Sequence, residues 1–134
     1  VVLLVEPLPP HFLGEKVMTA RQRIRYAIAR LEKQKGWCRW QMRKTPDGVQ
    51  NEQLTLADVN NAAGCLIGSM ITGRELLKTW TGKLGWNEIP HLTEACRLMG
   101  FNTQGQAMVF NDKQRSKAPV LRRLHDALKP KAKS

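Results

Sequence analysis

From Ala62 to Ile71 the chain carries no charged side chain, within a stretch, Thr55 to Thr72, that reads TLADVNNAAGCLIGSMIT. A segment that is apolar on every side must be covered on several faces. The spacing predicts a buried central helix over about 55–72, with amphipathic elements packed around it. Gly64 and Gly68 lie four apart and on a helix share one face, where the missing side chains admit a neighbouring backbone. Each Gly costs about 1 kcal/mol of helix propensity relative to Ala, which close packing has to offset. The competing reading of the two glycines is a ligand groove.

Amphipathic candidates flank this segment. Thr19 followed by Gln22 is a capping box, and Ala20, Ile24, Ala27, Ile28 and Leu31 recur at helical spacing until Gly36 ends the helix. Thr45, Pro46, Asp47 and Gly48 form a turn signal, so that 37–53 has room for a short β-hairpin or an irregular loop. Thr55 with Asp58 and Thr72 with Glu75 are further capping boxes, and the second bends the chain near Gly73. A short helix through Leu76, Leu77 and Trp80 ends by Gly82. Asn87 then caps a helix carrying Ile89, Leu92, Cys96 and Met99 as far as Gly100. Ala107 to Phe110 is an apolar cluster in polar surroundings, a short strand or a pinned loop. Ser116 caps the last helix, with Pro119 in its first turn and Val120, Leu121, Leu124, Ala127 and Leu128 as its buried stripe. The expected fold is all-α or mainly α, a compact bundle of about five helices around the central one.

At 134 residues and 42% hydrophobic, the chain can build one core without disulfides or a structural metal. Residues 1–17, with Pro7, Pro9 and Pro10, read as an N-terminal extension, 18–128 as a single helical domain and 129–134 as a basic disordered tail. The odd set Cys38, Cys65 and Cys96 points to a reducing compartment. VVLLV at the start, followed by Glu6 and Pro7, has the form of neither a signal peptide nor an anchor, so the expected location is cytoplasmic, without a membrane partner.

The net charge of +11 sits at the two ends. Residues 19–44 hold nine basic residues against Glu32 alone, while 45–100 are mildly acidic and 101–134 are basic again. Arg21, Arg23, Arg25, Arg30, Lys33 and Lys35 on the first helix, Arg39, Arg43 and Lys44 after it, and Arg122, Arg123, Lys129 and Lys131 at the end are the candidate phosphate contacts. Trp37 and Trp40 are expected to seal the edge of the core. The alternatives for them are stacking on bases beside Arg39, Arg43 and Lys44, or anchoring a protein interface. Major-groove reading by a helix-turn-helix is disfavoured, because the second helix offers Glu88, Pro90, His91, Thr93 and Glu94 where Arg, Lys, Asn or Gln is needed.

Catalytic signatures are weak. The three cysteines are about thirty residues apart, which is not the close spacing of a metal site, and GCLIGS lacks the Lys and the strand-to-helix setting of a phosphate loop. No sequence signal pairs a cysteine with His91 or His125, or one carboxylate with another. No cofactor is expected.

Gly36-Trp37-Cys38 follows the first amphipathic helix, Cys65-Leu66-Ile67-Gly68 lies in the small-residue segment, and Phe110-Asn111-Asp112 precedes the last helix. Together these resemble a family of small uncharacterised domains of bacteria and their phages with G-W-C, C-x-x-G and W-N-D signatures, over about Met18 to Leu128. Phe110 stands where the family has Trp, and Trp86-Asn87-Glu88 is a second near-copy of that motif. The resemblance implies a small helical fold and a phage or mobile-element setting, with no assigned activity. Charge and resemblance together lead to the expectation of a non-enzymatic basic module that binds nucleic acid through phosphates, with weak sequence preference. The alternative is a protein-binding accessory or inhibitor that docks on an acidic surface, for example of a host defence enzyme.

Overall fold

The computed structural model describes residues 17–34 and 36–130. The N-terminal extension up to residue 16, Lys35, and Lys131 with the rest of the basic tail lie outside the described residues. Seven α-helices follow one another among the described residues: α1 (Ala20–Lys33), α2 (Leu56–Asn61), α3 (Leu66–Ser69), α4 (Gly73–Trp80), α5 (Leu92–Leu98), α6 (Gln104–Lys113) and α7 (Ala118–Leu128). The fold is mainly helical.

The capping boxes form as the sequence predicts. Gln22 N–H donates to Thr19 Oγ1 while Thr19 N–H donates to Gln22 Oε1, and Thr55 with Asp58 and Thr72 with Glu75 repeat the pattern at α2 and α4. The stripe Ile24, Ala27, Ile28 and Leu31 is buried against α3, α5 and α7. Met18 is fully buried.

The central segment is buried from Gly64 to Ile71 but is not one helix. α2 ends at Asn61, Ala62 turns into extended backbone, and α3 starts only after Cys65. The break is stabilised from outside. Lys44 N–H donates to Ala63 O, Cys65 N–H to Met42 O and Cys38 N–H to Gly64 O, which leaves one antiparallel bridge, Arg43 with Gly64, in place of a hairpin at 37–53. The carbonyls freed at the end of α2 accept from two arginines: Arg30 Nη2 reaches Asn60 and Ala62, and Arg43 Nη1 reaches Val59. Gly68 faces the 38–44 loop so closely that a Cβ there would stand 1.8 Å from the Met42 carbonyl oxygen. The glycine serves close backbone approach, not a groove.

Three boundaries differ from expectation. Ala107 to Phe110 lies within α6, whose buried residues are Ala107 and Asn111, so it shows no apolar stripe to read. Trp86–Glu88 is a single 3-10 turn and α5 begins after His91, because Pro90 holds Ile89 in extended backbone. Ser116 is exposed, and α7 begins after Lys117, without a side-chain cap.

Candidate nucleic-acid interface

The structure divides the candidate cations into buried staples and surface charges. Arg23 is fully buried. Its guanidinium pairs with both Glu75 oxygens, at 2.9 and 2.7 Å, and donates to the Pro90 and Met70 carbonyls, tying α1 to α4 and to the start of α5. Burial alone would raise the Glu75 carboxyl, but the hydrogen bonds and charge of Arg23 outweigh it and hold Glu75 below the ordinary carboxylate range. Arg43 is buried as well, its three nitrogens donating to Gly68, Val59 and Ile71 carbonyls. Burial lowers its pKa to about 10, so it is still cationic at neutral pH. Arg30 is half-buried over the end of α2. Arg23 and Arg43 are therefore not phosphate contacts: each guanidinium is buried on groups of the scaffold and would have to abandon them to meet a ligand, whereas Arg30 commits only its Nη2 to carbonyls.

Arg123 is half-buried too, stacked 4.7 Å from the Phe101 and Phe110 ring centroids and donating to Met99 O. Arg21, Lys33, Arg39, Lys44, Arg122 and Lys129 are exposed, and Arg25 is half-buried.

The two basic ends of the chain come together. α1 packs along α7, with Arg21 Nη2 donating to Leu128 O at one end and Lys117 Nζ to Leu31 and Gln34 carbonyls at the other. Arg21 and Arg25 share a face of α1, and Arg122 lies on α7 with Lys129 just past its C-terminal end. Glu32, 3.5 Å from His125, and Asp126, 3.0 Å from Lys129, are the acids along this seam.

A second feature surrounds Asn111, which is fully buried. Its Oδ1 accepts from Trp37 Nε1 at 2.9 Å and from Leu66 N–H at 3.0 Å, and its Nδ2 donates to Cys38 O. The residues of the three short motifs are thus one hydrogen-bonded unit. Trp37 is half-buried there with Arg39 over its ring, as a core-sealing residue should be. Trp40 is not: it is 76% exposed, with φ of 69°. Lys113, Arg115, Met108 and Val109 are exposed on the neighbouring segment; from sequence, Met108 and Val109 stand out only as part of the apolar cluster 107–110 and the two cations are not singled out. Only the basic run beside Asn111-Asp112 signals the first two.

The cysteines sit in the core. Burial, then the nearby Cys65 and Asp112 charges, push the Cys38 thiol up to about 12, and burial pushes Cys65 and Cys96 up to about 11. At neutral pH they are thiols, whereas attack and metal ligation need thiolates. Among the described residues no group of three or more His, Cys, Asp and Glu is placed to hold a metal ion, and no helix is long and apolar enough to cross a membrane.

No family model, no curated protein and no solved structure matches the chain.

Proposed function

We propose that this chain is a non-enzymatic module that binds nucleic acid mainly through its phosphates. The observation that carries the reading is the packing of α1 on α7, which puts exposed Arg21 and Lys33 on one helix beside exposed Arg122 on the other, with Lys129 at the end of that second helix, although the two are far apart in sequence. Point charges without an evident base-reading element give affinity with weak sequence preference and a strong dependence on salt. The buried Arg23 and Arg43 hold the scaffold in place and contribute no phosphate contact, and the half-buried Arg30 braces the end of α2. A phage or mobile-element origin rests on the three motifs, and a cytoplasmic setting on the three unpaired cysteines.

The second reading, a protein-binding accessory or inhibitor docking on an acidic surface, draws on the exposed Trp40, because a lone exposed Trp is a common anchor of protein interfaces. The deciding experiment is binding of nuclease-treated protein to short labelled single-stranded and duplex DNA and RNA across a salt series. Binding at low salt that collapses as salt rises supports the nucleic-acid reading. Absence of binding at low salt contradicts it and directs the search to an acidic protein.

A further inference from the structure

Trp40 combines two features that folding alone does not call for. Its backbone lies in the left-handed region at φ 69°, where glycine is favoured and a bulky residue is strained. Its ring is 76% exposed and contributes little to the core. Strain of this kind persists where surrounding structure enforces it and is concentrated at functional sites. Here the enforcement is visible: Trp40 N–H donates to Asp112 Oδ1 at 2.9 Å and Arg39 Nη1 to Gln114 O at 3.1 Å, so the loop is pinned to the end of α6 at Trp40 and at the residue before it.

The surroundings of the ring are cationic. Between Gly36 and Lys44 there is no acid, and between Met108 and Lys117 the one acid is Asp112, whose carboxylate already accepts from Trp40 and from Asn111 Nδ2. Arg39, next to Trp40 in the chain, and Lys113 and Arg115, on the segment to which the loop is bonded, are exposed. The same segment runs on to Lys117, which is bonded to the last carbonyls of α1, so this rim continues into the α1–α7 surface.

We infer that Trp40 is a stacking platform for a base of single-stranded nucleic acid, with Arg39, Lys113 and Arg115 taking the flanking phosphates. The inference rests on the nucleic-acid reading and narrows it to a substrate class. A base within a duplex has both faces covered by its neighbours, whereas an unstacked base has a face free for the indole. The backbone of Trp40 is already fixed by Asp112, so the loop itself has little to reorganise on binding. An acidic protein segment is the competing occupant, but an exposed indole on a loop bonded to a segment that carries exposed cations suits the alternation of bases and phosphates along a strand.

The test compares a short oligothymidine with a duplex of the same number of phosphates at one low salt concentration. The proteins are the unmodified chain, Trp40→Gly, Trp40→Phe and a variant with Arg21, Lys33, Arg122 and Lys129 changed to Ala, with folding checked by thermal melting. Trp40→Gly removes the ring while relaxing the backbone. It is expected to weaken single-strand binding by roughly 5- to 150-fold and leave duplex binding unchanged. Trp40→Phe keeps most of the single-strand affinity, and the four-charge variant weakens both. Unchanged single-strand binding by Trp40→Gly overturns the stacking role alone, provided that the four-charge variant still weakens both ligands. Failure of the unmodified chain to bind either ligand overturns the stacking role together with the reading beneath it, and leaves the acidic protein segment as the occupant.

Discussion

Asp112 accepts the backbone N–H of Trp40 at 2.9 Å, a contact that ties the end of α6 to a loop that the sequence places 72 residues earlier. The contact holds Trp40 in a backbone conformation that glycine adopts without cost. Trp40→Gly is therefore expected to leave stability unchanged or raise it by up to about 1 kcal/mol, while Asp112→Ala lowers it by about 1–2 kcal/mol. Denaturant titration measures both, and a Trp40→Gly variant clearly less stable than the parent would show that the ring belongs to the core.

Asn111 serves four partners from a fully buried position: Trp37 Nε1, Leu66 N–H, Cys38 O and Asp112 Oδ1. Replacing it with Ala leaves those groups unsatisfied and opens a void, at a cost of about 3 kcal/mol or more. Asn111→Asp keeps the acceptor but loses the donor to Cys38 and buries a charge. Neither variant is expected to approach parental stability, and a melting temperature within error of the parent for either would contradict the role given to Asn111.

The Arg23–Glu75 pair makes stability depend on pH in a defined direction. Glu75 is held below the ordinary carboxylate range when folded, so the folded state favours its ionised form. Its contribution is complete above the unfolded pKa and is lost as pH falls through the carboxylate range towards the lower folded pKa. At neutral pH Glu75→Gln leaves Arg23 buried without its counter-charge and should cost about 3 kcal/mol. That gap should narrow on acidification, and an equal gap at every pH would count against the pair as its source.

The thiols of Cys38, Cys65 and Cys96, pushed up to about 12, 11 and 11, are protected by burial and by their protonation. Native protein is expected to resist thiol-specific reagents at mildly alkaline pH and to release three reactive thiols in denaturant. Rapid native labelling of any one of them would place it at the surface.

Local signals in the sequence carried well into the structure where they acted through neighbouring residues. Thr19 with Gln22, Thr55 with Asp58 and Thr72 with Glu75 cap as their spacing implies, and the stripe of α1 packs inward. The helix break at Ala62 was not legible, because the groups that sustain it, Arg30 and Arg43, come from distant segments and resemble surface charges in the sequence. For the same reason Arg23 reads as a phosphate contact in the sequence: its partner Glu75 is 52 residues away. α6 has no legible stripe because it buries only Ala107 and Asn111, and Trp37 and Trp40 cannot be told apart until Asn111 is seen to take one indole N–H and Asp112 the backbone of the other.

The measurement that bears most directly on the central claim is the dependence of binding to a single-stranded oligonucleotide on salt, for the parent chain and for the variant with Arg21, Lys33, Arg122 and Lys129 changed to Ala. Every cation that no longer meets a phosphate should make the slope of log affinity against log salt shallower by about 0.7, so the variant's slope should be shallower by about 3 if all four engage phosphates. A control changing Arg74 and Lys78, exposed on α4, should leave the slope as it is. Equal slopes for the parent and the four-charge variant, or no binding by the parent at low salt, would contradict the account.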